Sequence, residues 1–219
     1  GETVGGKDRE GHTGLIGDQS VGIHHSRKLG GFGVCGGDGT LNETITGLVS
    51  MGLDVPIGYI PCGSTNDFAS SLKLPLDILA AAKAAAGERL QQVDMGTFGE
   101  RPFSYVASFG AFTRSSYSAP QAAKNALGHF AYILEGMKDL NSLRPYRVRI
   151  TADGENLDGT YLFGAVCNST SLGGVLKMDP TAVDMQDGLL ELLLVRMPRN
   201  ATELSECVRA LAEHRYDTD

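Results

Sequence analysis

The sequence predicts an α/β fold, with a first half built on a parallel sheet and a second half that is mainly antiparallel β with one or two helices. In the first half, a short apolar strand, a turn and a helical pattern follow one another twice between residues 32 and 86, which is typical of parallel α/β sheets. After residue 90, strand-like apolar segments dominate, and these favour β structure. We therefore place a domain boundary after residue 92, between domains of residues 1–92 and 93–219.

The parallel half begins with a strand predicted at residues 32–35, which runs into a glycine turn at 36–39. A helix follows this turn; Thr40 can cap it, and Glu43 stands at the spacing of a capping box. A second strand is predicted at residues 55–60. In sheets of this kind ligands bind at the carboxyl ends of the strands, so we expect the site at these turns.

The remaining elements follow from the same signals. After the second turn, at 61–65, Asn66 or Thr65 is expected to cap a short helix at 67–72, and an alanine-rich helix follows at 76–86. The second half has predicted strands at 90–98, 102–109, 146–152, 161–167 and 189–195, and predicted helices at 120–140 and 201–214.

Composition excludes several classes of protein. With 42% hydrophobic and 21% charged residues, the chain is not wholly disordered. Lys and Arg number 19 against 26 Asp and Glu, a net charge of −7, which argues against a general nucleic-acid-binding protein. No apolar run reaches the roughly 18 residues of a membrane span, so we expect no transmembrane segment. The glycine-rich residues 1–29 show neither a convincing helical nor an alternating pattern, so this stretch is either a flexible leader or a set of ordered fragments joined with pieces missing.

The four cysteines, Cys35, Cys62, Cys167 and Cys207, are far apart in sequence and form no Cys-x-x-Cys pair. This pattern is poor both for a zinc site and for a disulfide framework. We interpret them as reduced thiols in a cytoplasmic protein.

The turn Gly36-Gly37-Asp38-Gly39-Thr40 is the strongest functional signal. Glycines let successive backbone N–H groups face one point, and at a helix start such a turn binds anions. Asp38 would repel a phosphate, so its place there makes sense if it holds Mg²⁺ or takes a proton from an attacking hydroxyl. The alternative is a tight structural turn in which Asp38 only hydrogen-bonds the backbone.

Three sequence blocks resemble those of one enzyme family. They are Gly-Gly-Asp-Gly-Thr-Leu-Asn-Glu at residues 36–43, Pro-Cys-Gly-Ser-Thr-Asn-Asp-Phe-Ala at 61–69, and a third block within 168–191. Together they resemble the diacylglycerol kinase catalytic domain, and most closely the bacterial soluble lipid kinases of that family, from about residue 31 to the C-terminus. The resemblance implies an α/β fold of the NAD kinase/diacylglycerol kinase type, with a parallel-sheet nucleotide-binding domain and a mainly antiparallel β-sandwich domain for the lipid.

The resemblance also implies a nucleotide site. Asp38 is the catalytic candidate, because the family ties this position to ATP, Mg²⁺ and phosphoryl transfer. The implied nucleotide-binding residues are Gly36, Gly37, Asp38, Gly39, Thr40, Asn42, Ser64 and Asn66. Ser64 stands where the family usually has threonine, which keeps the hydroxyl. Asn66 and Asp67 would shape the same mouth by capping the helix and holding water or metal. For Ser64 and Asn66, simple helix capping is the open alternative.

A second metal site is implied at Asp184, Asp187 and the backbone carbonyl of Leu189. Two carboxylates and a carbonyl, completed by waters, suit a hard cation such as Mg²⁺, which would be structural rather than catalytic. The alternative is a solvated acidic turn before the strand at 189–195.

By resemblance, the expected function is ATP-dependent transfer of a phosphoryl group to a lipid hydroxyl, with diacylglycerol or a related lipid as the acceptor. ATP and Mg²⁺ are the expected cofactors. The expected partner is a lipid at a membrane surface, with no nucleic acid; a homodimer is left open, as is peripheral contact of a cytoplasmic protein with the inner membrane surface. The acyl chains need an apolar groove. Its candidates, with core packing as the alternative for each, are Phe109, Phe112, Tyr132 and Leu172.

Two departures from the family and two rivals remain. The family begins with a strand and a helix that the N-terminal residues of this sequence do not visibly supply. The family carries its usual general base in an Asp-Gly-Glu-like turn of a returning strand, which we expect to lie beyond Asp219. Asp153-Gly154-Glu155 has the same letters but falls in a predicted hairpin, so we interpret it as an ordinary turn. An NAD kinase, which uses a similar Gly-Gly-Asp-Gly loop, and a catalytically silent nucleotide or lipid sensor stay open.

Overall fold

The computed structural model describes residues 4–7, 13–16, 19–24, 32–87, 89–110, 143–174 and 176–216. The helix predicted at 120–140, and with it Tyr132, lies outside these residues, as does Phe112. The described elements follow in the order β1 (Val4–Lys7), β2 (Thr13–Ile16), β3 (Gln19–His24), β4 (Phe32–Gly36), α1 (Asp38–Ser50), β5 (Ile57–Pro61), α2 (Asp67–Ser71), α3 (Ile78–Ala85), β6 (Leu90–Phe98), β7 (Arg101–Phe103), β8 (Val106–Gly110), β9 (Tyr146–Val148), β10 (Thr151–Ala152), β11 (Glu155–Asn156), β12 (Gly159–Cys167), β13 (Ser171–Leu172), β14 (Leu176–Lys177), β15 (Glu191–Arg196) and α4 (Ala201–Ala212).

A parallel pair of strands organises the first half. β4 and β5 run side by side, with Cys35 opposite Ile60 and Gly36 opposite Pro61. Both strands therefore end at one edge, and α1 and α2 begin just beyond it. Parallel strands joined through a helix confirm the predicted α/β fold of this half.

The first helix begins earlier than the sequence predicts. α1 starts at Asp38, and Gly37 occupies the N-cap position without a side-chain hydrogen bond. The capping box expected at Thr40 and Glu43 is therefore wrong. Thr40 lies in the first turn instead, where its side chain fills the space beside Gly36: a Cβ on Gly36 would come within 2.7 Å of the Thr40 Cβ. A glycine cap leaves the N–H groups of the first turn without a side-chain acceptor from the cap.

The N-terminal residues contain strands that the local sequence does not predict. β1 pairs antiparallel with β2, and β3 pairs antiparallel with β6, with Val21 opposite Val93. Of the two alternatives left open for residues 1–29, these described strands favour ordered fragments. The partner of β3 lies far along the chain, so its backbone hydrogen bonds leave little local pattern to recognise.

The second half is mainly antiparallel, as predicted. Strand β12 pairs with β8, β9 and β15 in antiparallel register. The single strand predicted at 102–109 is two strands, because β7 pairs with β6 whereas β8 pairs with β12, and the chain changes sheets between them. Asp153 (φ 50°) and Gly154 (φ 78°) make the turn between β10 and β11, which confirms the predicted hairpin.

The structure has two main apolar cores. The first unites buried residues of β4, α1, β5, α2 and β6 with one from the segment before β15: Val34, Leu41, Ile45, Leu48, Ile57, Tyr59, Phe68, Ala69, Leu72, Val93, Met95 and Met185. The second lies around β12, β15 and α4: Leu143, Leu162, Phe163, Ala165, Cys167, Leu172, Leu176, Leu193, Val195 and Leu211. The domain boundary after residue 92 stays a prediction, and it falls inside β6. Within the described residues no helix has the length and apolar character needed to cross a bilayer.

Candidate nucleotide and metal site

The turn between β4 and α1 is fixed through its carbonyl groups. The Gly36 carbonyl accepts hydrogen bonds from the Cys62 N–H (2.8 Å) and from the Tyr59 hydroxyl (3.2 Å). The Leu41 N–H donates to the Gly37 carbonyl (3.1 Å), which opens the hydrogen-bond ladder of α1. The N–H groups of residues 38–40 precede that bond, so the helix itself does not use them. With the positive end of the helix dipole, they make this helix start suited to an anion.

Three positions of the predicted site differ in why a glycine stands there. Gly37 packs directly against Gly63 of the next turn, and a Cβ on Gly63 would lie 2.5 Å from the Gly37 Cα. Gly36 packs against a side chain of α1 in the same way. Gly39 differs, because a Cβ there would meet no heavy atom within 4 Å. Packing therefore requires glycine at Gly36 and disfavours a side chain at Gly37, where a Cβ would lie 3.1 Å from the Gly63 Cα. The absent side chain of Gly39 leaves open space beside the helix start.

Asp38 caps the second helix rather than its own. One carboxylate oxygen accepts the Asp67 N–H (Oδ2, 3.0 Å) and the other accepts the Phe68 N–H (Oδ1, 3.1 Å). Burial raises the pKa of Asp38 above its ordinary value, and the nearby charge of Asp67 adds to this, while the two N–H donors oppose it. Asp38 is thus held in one orientation between the starts of α1 and α2.

Asn66 stands at the N-cap position of α2, as predicted, but its side chain does not cap the helix. Its backbone is left-handed (φ 53°), a conformation that asparagine tolerates. Its Oδ1 accepts the Gly63 N–H (2.7 Å) and its Nδ2 donates to the Gly63 carbonyl (3.0 Å). Asn66 therefore shapes the turn after β5, and Ser64 lies exposed in the same turn.

Asn42 is directed elsewhere in the structure. It lies on α1, and its Oδ1 accepts the Ser104 N–H (3.1 Å) between β7 and β8. Thr40, in contrast, is exposed at the start of the helix. The turn thus brings Gly36, Gly37, Asp38, Gly39 and Thr40 together, while the nucleotide role of Asn42 stays a prediction.

Asp67, which is expected beside Asn66 at the mouth of the site, is a centre of contacts in the structure. Its carboxylate, buried at the start of α2, accepts hydrogen bonds from the Tyr105 hydroxyl (2.7 Å), the Ser171 hydroxyl (2.7 Å) and the Gly174 N–H (2.8 Å). Burial and the charge of Asp67 raise the pKa of Tyr105. The second family block predicts the place of Asp67, but it does not predict these partners from the β-rich half.

The predicted second metal site lies in the turn before β15. The Asp184 carboxylate accepts the Gln186 N–H (3.1 Å), and the Asp187 carboxylate accepts the Leu189 N–H (2.9 Å). Both aspartates are exposed. In the part of the chain that the structure describes, no three His, Cys, Asp or Glu side chains form a ready metal cluster. The two carboxylates and the Leu189 carbonyl are a donor set that Mg²⁺ would complete with water, and this role stays a prediction.

Two further carboxylates, one buried and one half-buried, adjoin this turn. Asp94, on β6, accepts the Gly188 N–H (2.7 Å). The Oε2 of Glu191 is buried without a hydrogen-bond partner among the described residues. Burial raises the pKa of Glu191 to about 7, and three neighbouring carboxylates add to the effect. They are Asp187, Asp184 and Asp94. A divalent cation at the turn would offset this concentration of negative charge, so the residues present fit a metal.

Comparison with known proteins decides the family. Residues 18–98 match the profile described as the diacylglycerol kinase catalytic domain, and residues 106–214 match the YegS C-terminal NAD kinase beta sandwich-like domain. Residues 18–98 belong to the diacylglycerol kinase catalytic domain family. The predicted resemblance is therefore confirmed, as is the predicted fold class.

The curated relatives of this family member include bacterial diacylglycerol kinases. The diacylglycerol kinase of Bacillus subtilis (strain 168) is 36% identical over 184 residues, which are 83% of this chain and 60% of the relative. That of Staphylococcus carnosus (strain TM300) is 36% identical over 163 residues, 74% of this chain and 53% of the relative. The chain thus spans between about half and three fifths of the length of these relatives.

Solved structures resemble this diacylglycerol kinase family member in fold. A crystal structure of a diacylglycerol kinase from Bacillus anthracis str. Sterne superposes with a TM-score of 0.59 at 25% identity, covering 85% of this chain and 58% of that one. A second solved structure from that organism gives a TM-score of 0.64 at 25% identity, covering 85% of this chain and 62% of that one.

Proposed function

We propose that this family member transfers the γ-phosphoryl group of ATP to a lipid hydroxyl, with diacylglycerol as the acceptor. The observation that carries the proposal is the position of Asp38, which begins α1 and at the same time holds the start of α2 through its carboxylate. Two helix starts and one acid thus meet beyond the carboxyl ends of two parallel strands, where this fold class binds its ligands. The names of the curated relatives support the lipid acceptor.

The nucleotide would be held by groups of the chain's own turns. Phosphate oxygens would accept hydrogen bonds from the N–H groups of residues 38–40, and the open space beside Gly39 gives them room. The exposed hydroxyls of Thr40 and Ser64 can donate to phosphate or ribose oxygens. Mg²⁺ bound with ATP would neutralise phosphate charge.

Asp38 would bind the cation or accept a proton beside the nucleotide turn. Each of its carboxylate oxygens accepts one N–H, which fixes the plane of the group and leaves further lone pairs for a ligand. Those lone pairs can bind the cation, directly or through water, or accept the proton of the attacking hydroxyl. Its raised pKa increases its affinity for that proton.

The lipid would bind to the β-rich half. Of the groove candidates within the described residues, Leu172 is buried in the second core, which favours packing over lipid contact. Phe109 is half-buried on β8 and stacks at a tilt against Tyr146, with ring centroids 6.0 Å apart. Phe109 is therefore the candidate that can reach an acyl chain.

A second Mg²⁺ would be structural in this proposal. Asp184, Asp187 and the Leu189 carbonyl would hold it, and the ion would relieve the repulsion that helps to raise the pKa of Glu191.

We also propose that the reaction takes place in the cytoplasm, at the inner surface of the membrane. A homodimer stays a prediction, which light scattering of the purified chain would check.

Replacement of Asp38 tests the proposal. With labelled ATP, Mg²⁺ and diacylglycerol vesicles, the parental chain is expected to form labelled phosphatidic acid. The Asp38→Asn variant keeps the shape of the side chain but removes its charge, so we expect the rate to fall by about 10²- to 10⁴-fold. Parental turnover by this variant would remove Asp38 from the mechanism.

A matched control separates charge at the site from charge in general. Asp153→Asn makes the same change at an exposed hairpin turn, where asparagine also tolerates the positive φ. It is expected to keep the parental rate. Thermal unfolding of both variants would report the loss of the α2 cap, for which we expect about 0.5–2 kcal/mol in Asp38→Asn.

The same assay distinguishes the rivals. Label transferred to NAD and not to diacylglycerol would identify an NAD kinase. Binding of ATP and Mg²⁺ in calorimetry, with no labelled product from either acceptor, would identify a silent nucleotide-binding protein.

A further inference from the structure

Two cysteines meet beside the nucleotide turn. Cys35 lies on β4 and Cys62 follows the end of β5, and their Sγ atoms are 3.1 Å apart. Both side chains are exposed, and both cysteines are free thiols in the structure. The residues are 27 positions apart in sequence, so this pairing is a product of the parallel register that brings the two strand ends together.

The backbone around the two thiols belongs to the candidate nucleotide site. The Cys62 N–H donates to the Gly36 carbonyl (2.8 Å), which also accepts the Tyr59 hydroxyl. Gly37, which follows Gly36, and Gly63, which follows Cys62, are in close contact. A displacement of either cysteine is therefore transmitted to the turn that begins α1.

We propose that Cys35 and Cys62 are a dithiol that low-molecular-weight disulfides oxidise reversibly to an intramolecular disulfide, and that this bond weakens nucleotide binding at the adjoining turn. The formation of the bond does not depend on the proposed kinase activity, whereas its effect on the nucleotide rests on that proposed function.

The oxidation balances as two thiol–disulfide exchanges. The thiolate of one cysteine attacks a sulfur of the oxidant R–S–S–R, forms a mixed disulfide and releases one R–S⁻, which takes up a proton. The second cysteine loses its proton and attacks the sulfur of the first, which forms the Cys35–Cys62 bond and releases the second R–SH. The protein loses two protons and two electrons, and the oxidant takes up both and is reduced to two thiols.

The effect on the turn follows from distance and packing. A disulfide requires an S–S separation of about 2.05 Å, so the sulfur atoms must approach by about 1 Å from their present 3.1 Å. Gly37 and Gly63 are already in contact, so the two turns cannot move closer together. A Cβ added to Gly63 would lie only 2.5 Å from the Gly37 Cα. The Asn66 side chain in addition holds Gly63 through both its N–H and its carbonyl group. The proposed bond would therefore act on the start of α1, which follows Cys35 through Gly36 and Gly37 and whose N–H groups would bind phosphate.

Oxidised glutathione is a suitable oxidant for the test on the full chain. After exposure and alkylation of the remaining thiols, mass spectrometry is expected to show the loss of two hydrogens and a cross-linked pair of peptides containing Cys35 and Cys62. Dithiothreitol is expected to reverse the change. A glutathione adduct without a cross-link, or a cross-link between other cysteines, would overturn the proposed dithiol.

Calorimetric titration with ATP and Mg²⁺, without lipid, gives the second readout. We expect the oxidised chain to bind about tenfold more weakly than the reduced chain, the equivalent of losing one or two hydrogen bonds to phosphate. Equal affinities of the two forms would overturn the effect on the nucleotide. A reduced chain that binds no ATP would overturn the proposed function, and with it this effect, while peptide mapping would still decide the dithiol.

Single replacements complete the design. Cys35→Ser and Cys62→Ser are expected to form no internal disulfide and to keep their ATP affinity unchanged by the oxidant. Cys207→Ser is the matched control, because it removes a half-buried thiol on α4 and leaves the pair intact. It is expected to respond like the parental chain. A loss of the response in Cys207→Ser would assign the effect to a different cysteine.

Discussion

Three aspartates of this chain carry carboxylates that are partly or wholly buried and that accept hydrogen bonds from the protein. Asp38 accepts two backbone N–H groups, Asp67 accepts one N–H and two hydroxyls, and Asp94 accepts an N–H from the acidic turn. Hydrogen bonds to a charged acceptor are stronger than those between neutral groups. Each aspartate is thus fixed in orientation by donors from another part of the chain.

Glu191 lacks such a donor on Oε2, and this leads to a prediction about pH. Its pKa is raised from 4.5 to about 7 in the folded chain, so the folded chain binds more protons than the unfolded chain between those values. The free energy of unfolding should therefore fall as pH rises through that window, by on the order of 1 kcal/mol from this residue, because solvent screens the half-exposed carboxylate and reduces the effect of the full pKa shift. Urea unfolding of the parental chain and of Glu191→Gln, at a series of pH values, measures the difference.

The same residue reports on the proposed structural metal. A cation held by Asp184 and Asp187 would lower the pKa of Glu191, so MgCl₂ is expected to reduce the pH dependence relative to NaCl of equal ionic strength. Equal pH dependence in the parental chain and in Glu191→Gln would show that Glu191 does not titrate in this way.

Sequence reasoning located the residues of the turn but not their partners. Asp38 was recognisable because an acid between glycines at a helix start is unusual. Its acceptor role at Asp67 and Phe68 depends on contacts 29 and 30 positions away, and no local pattern encodes them. Asp94 was overlooked because it lies between the apolar Val93 and Met95, where alternation alone cannot tell a buried carboxylate from an exposed one.

At the scale of elements, the helices differ in how local their caps are. α4 is capped by Asn200, whose Oδ1 accepts the Glu203 N–H (2.9 Å), while Glu203 accepts the Arg199 N–H (2.8 Å). All these groups lie within five consecutive residues, so such a cap can be read from sequence. The cap of α2 comes from Asp38 on another helix and cannot.

Removal of the α4 cap gives a prediction for this element. Asn200→Ala should lower the free energy of unfolding by about 0.5–2 kcal/mol, because the N–H of Glu203 loses its acceptor. Asn200→Ser keeps a capping oxygen and is expected to retain most of the stability. Chemical denaturation followed by circular dichroism measures both. An alanine variant as stable as the parental chain would show that the first turn of α4 is already frayed in the parental chain.

At the scale of the whole molecule, α2 joins the two halves of the chain. The Ser71 hydroxyl lies 2.9 Å from the Ser169 hydroxyl and 3.0 Å from the Thr170 hydroxyl, and it accepts the Thr170 N–H (3.0 Å). Asp67 makes the second connection, through Ser171 and Gly174. One short helix therefore contacts both the nucleotide turn and the β-rich half.

Ser71→Ala tests this connection. The Thr170 N–H would lose its acceptor, so we expect the free energy of unfolding to fall by about 1–3 kcal/mol. Ser205→Ala is the matched control, since Ser205 is exposed on α4 and its hydroxyl donates only to the Ala201 carbonyl of its own helix (2.9 Å). It should change stability by less than about 0.5 kcal/mol. Equal effects of the two replacements would contradict a special role for Ser71.

The hydrogen bonds of Asp67 also determine how the chain can be dissected. A recombinant fragment ending at Phe98 would contain the glycine turn and α2, yet it would lack Tyr105, Ser171 and Gly174, which supply the donors for the Asp67 carboxylate. That charge would then face either bulk solvent or an apolar interior without compensation. Truncation at this point thus removes support from the very helix that orients Asp38.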